Sequence, residues 1–340
     1  MIKYNFIIVI SIIVCNLKFE NKTINSVGLI NKVWSINENK SSNIIYKKNV
    51  LLSLIIGYSW DIIFPFIKSL IKAQISNCDF IMFVHEISQT VNDMLKSFGI
   101  IIYEIPENLR NMKIFNIRWK LYSDFLKNNI EKYNIVLSVD IRDTIIQSDL
   151  FSLYYNSKPF LAFSYEDATV DRLINKEWII DKYGIELFKT IKHEKTINAG
   201  TVWGTINIFL EFSNILWDKL SAFPESIDQT VINYMIYHEN ILYNYLKFSN
   251  LFGPVMTIGL TKKGNIILDS ENNILNYNGK IASIVHQYDR HGIIKKVIRN
   301  KFCPELTYKR NIKKTFIFSE IFSIILLVYL LKEKNKNKKK

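Results

Sequence analysis

Cysteine is scarce: the 340-residue chain holds three, Cys15, Cys78 and Cys303. Three cysteines make no disulfide framework, and no pair has metal-site spacing. Cys15 falls in an N-terminal leader, so only Cys78 and Cys303 could join. Buried thiols are the simpler expectation. Glycine-rich phosphate loops are missing as well. No G-x-G-x-x-G and no P-loop stands in the chain, and none follows Leu54-Ile55-Ile56-Gly57-Tyr58, where a nucleotidyltransferase would carry one with Arg and Lys. No internal repeat is visible. No uninterrupted apolar run reaches the roughly 20 residues of a membrane helix. An excess of basic charge on the body is also missing, although the net charge is +13. Of the 44 Lys and Arg, 14 lie from Lys295 onward, with only 3 of the 31 Asp and Glu, so the preceding 294 residues carry just +2. A nucleic-acid binder would carry its basic groups on the folded body, so no nucleic-acid partner is expected.

What is present suits a large core. The chain is 49% hydrophobic and 14% aromatic, which argues against low-complexity disorder for its bulk. The length allows one large domain or two small ones. Residues 1–18 open with Met1-Ile2-Lys3-Tyr4-Asn5 and an apolar block from Phe6 to Cys15. This pattern fits a signal peptide or an uncleaved signal anchor, with a first core element as the plain alternative. Residues 19–48 read as a low-complexity stem with two glycosylation sequons, Asn21-Lys22-Thr23 and Asn39-Lys40-Ser41, used only if the segment is lumenal. Residues 301–340 hold an apolar segment, Thr315 to Leu331, and a basic tail. That segment reads as a tail anchor, an interfacial helix or a core helix.

Residues 49–300 form the body. Val50 to Ile56, Phe80 to Val84, Ile100 to Tyr103 and Ile135 to Val139 read as strands. Trp60 to Ile75, Gln89 to Phe98, Phe115 to Asn129 and Ile206 to Leu220 read as helices, with Pro65 awkward inside the first. Strand–helix alternation predicts an α/β fold, a mixed and mostly parallel central sheet with helices on both faces. The fourth strand runs into Asp140-Ile141-Arg142-Asp143. Ligands of such sheets bind beyond the carboxyl ends of the strands. Paired carboxylates there suit a hard divalent cation together with phosphate oxygens. Arg142 could join the phosphates or brace a carboxylate. By itself the cluster also reads as a solvated turn with an Asp–Arg pair.

Further segments repeat that ambiguity. Asn198-Ala199-Gly200 offers an amide and a Gly permitting close backbone approach, or is a plain turn before a strand. Asp228 and Gln229 open a helix that Ser226 or Asp228 could cap. His286 follows an apolar strand, Ile281 to Val285, as a structural residue or, with the acidic cluster, a ligand for Mn²⁺ or Mg²⁺. Asp289 and Arg290 form an ion pair or touch substrate.

Taken in order, these segments resemble the GT-A glycosyltransferases, the nucleotide-diphospho-sugar transferases. Val136 to Phe151 is similar to their "DxD" segment, although here the acidic residues are Asp140 and Asp143, with Leu150 where Pro is usual. Arg118-Trp119-Lys120-Leu121-Tyr122 resembles the "RW..Y" helix. Asn198 to Gly204 resembles the "N-[SA]-G" loop, Asp228 to Tyr234 the "D-Q-x-x-x-N" helix, and His286-Gln287-Tyr288-Asp289-Arg290-His291 the late "H-Q-Y-D-R-H" segment. The resemblance implies the GT-A fold and transfer of a sugar from a UDP- or GDP-sugar to a hydroxyl of a glycan, glycoprotein or glycolipid. It implies Mn²⁺ or Mg²⁺ held by Asp140, Asp143 and His286, and Asp228 and Gln229 at the reaction centre. It further implies contacts to substrate from Arg118, Arg142, Asn198, Ala199, Gly200 and Arg290. A His ligand is typical of retaining members. The usual home is the endoplasmic reticulum or Golgi membrane, with a lumenal catalytic domain. The non-enzymatic alternative is a membrane-anchored, glycan-binding pseudoenzyme of the same fold.

Overall fold

A computed structural model describes residues 47–154 and 157–304. The leader with Cys15, the sequons at Asn21 and Asn39, and the C-terminal apolar segment with its basic tail lie outside the described residues. Among the described residues no helix is long and apolar enough to cross a membrane, and neither Cys78 nor Cys303 is disulfide-bonded.

In chain order the elements are β1 (Lys48–Ile56), α1 (Trp60–Lys72), β2 (Cys78–His85), α2 (Gln89–Ser97), β3 (Ile101–Glu104), α3 (Ile114–Lys127), β4 (Tyr133–Val139) and β5 (Thr144–Ile146). Then follow β6 (Leu161–Thr169), α4 (Leu173–Ile191), β7 (Lys195–Thr205), α5 (Ile206–Ala222), α6 (Asp228–Tyr237), β8 (Leu246–Ser249), β9 (Val255–Thr257), β10 (Ile267–Leu268), β11 (Ile274–Leu275), β12 (Ile284–His286) and α7 (Gly292–Phe302). Seven strands make the main sheet, in the order β3-β2-β1-β4-β7-β6-β8. Within it β7 alone runs antiparallel to its neighbours; the other pairs are parallel. The expected mixed, mostly parallel sheet is therefore observed.

Helices cover both faces, as the sequence pattern predicts. Successive side chains of a strand point to opposite faces. Thus Val50 and Leu52 join α3, α5 and α6 in one buried cluster, while Leu51 and Ile55 join α1 and α2 in another. The central strands are apolar on both sides because both sides are covered. α1 runs through Pro65, although a proline there forfeits one helical hydrogen bond. Ile63, Phe66, Ile67 and Leu70 hold it against the sheet, and that burial outweighs the lost bond.

Two sequence expectations are corrected here. Asn198-Ala199-Gly200 is no turn before a strand; it lies inside the eleven-residue β7. Its turn-like chemistry serves a bulge instead, since β6 pairs Phe163 with Val202 and next Ser164 with Asn198. Ala199, Gly200 and Thr201 are thereby left without partners on that side. The strand before His286 is also shorter than read. Only Ile284–His286 forms β12, and Ile281 makes an isolated bridge to Leu275.

Candidate active site

β1 and β4 are neighbours in the sheet, but their chain continues in opposite directions across it: β1 leads to β2 and β3, and β4 begins the other half. A crevice opens beyond the carboxyl ends of strands at such a switch point. Here it is a cleft of about 230 Å³, lined by Ser53, Leu54 and Ile56 of β1 with Tyr58 just after it, and by Val139 of β4 with the Asp140 to Asp143 segment that follows. Ile114, Phe115, Arg118 and Tyr122 of α3 close the side.

Asp140 and Asp143 leave the end of β4, and β5 begins at Thr144. β12 pairs antiparallel with β5 in a three-stranded sheet, β5-β12-β9, with His286 opposite Thr144. This register carries His286 from the far end of the chain to the acidic cluster. Its Nε2 lies 3.4 Å from Asp143 Oδ1 and 3.8 Å from Asp140 Oδ2. One ligand atom from each of the three falls within 4.8 Å of the others. Asp143 and His286 are buried and Asp140 is half-exposed, so the group opens on one side.

Burial opposes charge on both buried members, while each favours the charged form of the other. His286 and Arg142 keep the Asp143 carboxyl well below the usual carboxylate range. Asp143 first, then Asp140, raise the His286 pKa against the same burial.

The residues present fit a divalent cation. Two carboxylates and an imidazole suit Mn²⁺ or Mg²⁺. The site also keeps space for an ion. A Cβ on Gly200 would stand 2.2 Å from His286 Cε1, 2.7 Å from Asp140 Oδ2 and 2.7 Å from His286 Nε2. The β7 bulge sets this floor, and the Gly200 carbonyl accepts the Asp140 N–H at 2.8 Å.

Behind the triad runs a buried brace. Arg118 donates to Asp140 Oδ1 at 2.6 Å and, through Nε, to Asp228 Oδ2 at 3.0 Å. Its Nη2 also reaches Asp228 Oδ2, and Trp119 Nε1 donates to the same oxygen at 3.1 Å. Arg118 lines the cleft, but its guanidinium is spent on two carboxylates rather than left for substrate. Asp228 is buried, with one carboxylate oxygen taken up by Arg118 and Trp119 and the other accepting the Gln229 N–H at 2.8 Å. Ser226 does not cap α6: the capping position is Ile227, with no side-chain cap bond.

Beside the triad lies a polar network. Asn198 Nδ2 donates to Glu166 Oε1 at 2.9 Å and to Gln229 Oε1 at 3.3 Å. Asn198 Oδ1 accepts the Gly200 N–H at 2.8 Å. Gln229 Nε2 donates to Glu166 Oε1 at 3.4 Å and to Asn175 Oδ1 at 3.2 Å. The buried Ala199 donates its N–H to Gln229 Oε1 at 3.4 Å. Asn233, one turn along α6, donates to the Ile197 carbonyl and accepts its N–H, both at 2.9 Å. Gln229 is partly exposed and Asn198 is buried. The two remaining arginines sit at the rim. Arg142 Nη2 donates to Asp143 Oδ2 at 3.0 Å; Arg290 Nη2 lies 3.9 Å from that oxygen and its Nε 3.6 Å from Asp289. Every expected site residue thus falls in one region. Glu166 and Asn175 belong to it unannounced. The only sequence sign of Glu166 is an acidic residue ending the apolar run from Phe160 to Tyr165.

No family model matches the chain, and no curated protein matches it in sequence. Solved structures of similar shape are found at low identity. An active-site mutant of LgtC has a TM-score of 0.45 at 13% identity, over 70% of this chain and 86% of that one. The glycosyltransferase GlyE of Streptococcus pneumoniae TIGR4 has 0.43 at 14%, over 71% and 54%. The bifunctional glycosyltransferase WbbM, in its apo form, has 0.45 at 15%, over 81% and 53%. The chain spans about half the length of GlyE and of WbbM.

Proposed function

We propose that the chain is a metal-dependent glycosyltransferase, moving a sugar from a UDP- or GDP-sugar to an acceptor hydroxyl of a glycan, glycoprotein or glycolipid. The observation that carries this reading is the triad of Asp140, Asp143 and His286 over Gly200, at the mouth of the switch-point cleft. Those three residues would hold Mn²⁺ or Mg²⁺, which when bound supplies charge neutralisation to a leaving diphosphate. Tyr58, Phe115 and the apolar wall of the cleft give a nucleoside base a face to lie on. Arg142 and Arg290 stand at the rim, where diphosphate oxygens would be. Arg118 fixes the direction of Asp140 and is itself fixed by Asp228. Gln229, with Glu166 and Asn198 behind it, presents fixed polar groups to the donor sugar. The histidine ligand favours retention. The body is assigned to the lumen of the endoplasmic reticulum or Golgi, with membrane attachment, on the N-terminal apolar block and the sequons alone.

The test is a thermal-shift titration with UDP and GDP, with and without Mn²⁺. A nucleoside diphosphate should raise Tm only with the metal. Asp140→Ala and Asp143→Ala should each remove that shift. Unaltered binding in both variants would refute the triad. A metal-dependent shift with no sugar-nucleotide hydrolysis and no transfer to any glycan mixture would leave the pseudoenzyme instead.

A further inference from the structure

Glu166, toward the end of β6, is only 6% exposed. Two amides fix its Oε1, Asn198 Nδ2 at 2.9 Å and Gln229 Nε2 at 3.4 Å. Its Oε2 accepts no hydrogen bond among the described residues, yet unlike the sealed polar atoms of the core it keeps contact with solvent. No cation among the described residues pairs with Glu166; Arg118, Arg142 and Arg290 face Asp140, Asp143 and Asp228 instead. A covered carboxylate is costly unless its oxygens find donors. The neighbouring amides are already engaged. The side-chain oxygen and nitrogen of Asn198, of Gln229 and of Asn175 each carry a hydrogen bond inside the protein. Glu166 Oε2 is the acceptor that this network leaves open.

The place of that oxygen narrows its partner. Asn198 links Glu166 to Gly200, the floor of the triad, because Asn198 Oδ1 accepts the Gly200 N–H at 2.8 Å. Glu166 is also near enough for its charge to act on His286. A carboxylate oxygen accepts hydrogen bonds, so the partner must donate one. An anion would be repelled. A second metal ion finds no ligand set, since among the described residues only Asp140, Asp143 and His286 gather closely enough to hold one. The donor that fits is a neutral hydroxyl, and a sugar is the part of a glycosyl-transfer substrate that brings hydroxyls.

We propose that Glu166 recognises a sugar hydroxyl of the substrate, with Oε2 accepting the hydrogen bond. The proposal rests on the transfer reading and adds to it the residue that grips the sugar, beside the triad that would face the diphosphate. The hydroxyl belongs either to the transferred sugar or to the acceptor, and binding and turnover tell the two apart.

Glu166→Gln keeps an oxygen for the two amides and puts in place of Oε2 a group that cannot accept. The full chain and this variant are titrated calorimetrically, with Mn²⁺, against UDP, GDP, UDP-glucose, UDP-galactose, UDP-N-acetylglucosamine and GDP-mannose. If the hydroxyl is the donor's, the variant binds the parent's preferred sugar nucleotide about tenfold or more weaker, the loss of one hydrogen bond to a carboxylate. Free UDP or GDP then binds it as it binds the parent, which also shows that the variant is folded. If the hydroxyl is the acceptor's, sugar-nucleotide binding and hydrolysis are kept, and transfer to a glycan mixture falls about tenfold or more. A variant unchanged in both binding and transfer overturns the proposal while leaving the transfer reading intact. So does equal weakening of free and sugar-bearing nucleotide, which would make Glu166 a support of the site. A parent that binds no nucleotide with Mn²⁺ sinks the transfer reading and this proposal together.

Discussion

At the scale of single residues, the site depends as much on atoms left out as on atoms supplied. Gly200 shows this most clearly. A methyl group there falls on His286 and Asp140, the residues that would face the cation. Gly200→Ala should therefore lose the Mn²⁺-dependent thermal shift while still folding, at a cost of about 1–3 kcal/mol for the overpacked contact. Urea melts and the nucleotide titration measure the two effects separately. Asp228 makes the opposite case. Its carboxylate is the buried counter-charge of Arg118, and removing one partner of a buried pair costs about 3–5 kcal/mol. Asp228→Asn should destabilise the chain by that order with neither metal nor nucleotide present. A variant as stable as the parent, yet inactive, would return Asp228 to a catalytic part.

At the scale of elements, strands are tied together at the end of the sheet far from the cleft. Asp79 on β2 takes Lys48 of β1 at 2.9 Å, Lys132 at 2.7 Å and the Tyr133 hydroxyl of β4 at 2.8 Å. Burial would raise the carboxyl pKa, but the hydrogen bonds from Lys132, Lys48 and Tyr133 outweigh it and hold the value at about 2. A folded-state pKa below the unfolded one stabilises above the unfolded pKa of about 3.9, and that stability is lost as pH falls toward the folded value. The contribution is about 2 kcal/mol. Asp79→Asn should lower the unfolding free energy by that order at pH 7, with the gap to the parent closing as pH approaches 2. Denaturant melts across that range check it.

For the molecule as a whole, the half up to Val139 was legible in the sequence. Its strands are apolar runs and its helices carry one apolar stripe, so periodicity and turn residues mark them, and each stood within a few residues of its observed bounds. Legibility fails in the second half for physical reasons. β5, β9 and β12 have three residues each, too few to show a period of two. β7 contains Asn198 and Gly200, residues of turns, because a bulge uses them for the same backbone freedom. Gly184 interrupts α4 with φ 84° and ψ 166°, a conformation open to glycine and closed to its neighbours. The triad was readable as residue types, since acidic groups after a strand and a late histidine are visible in the chain. What joined them was not: the register of β12 on β5 is a tertiary fact.

That register has a thermodynamic side. Asp143 and His286 stand at opposite ends of a long chain segment holding β6, β7, β8 and β9. An ion gripping both would act as a reversible crosslink, closing a loop of more than 100 residues. A permanent link over such a loop takes about 4–5 kcal/mol of chain entropy from the unfolded state. Loading the triad and tightening the fold are then one event. A chelator would act on this chain as a mild denaturant, and the empty chain and the loaded chain would differ in how long they survive as well as in what they bind.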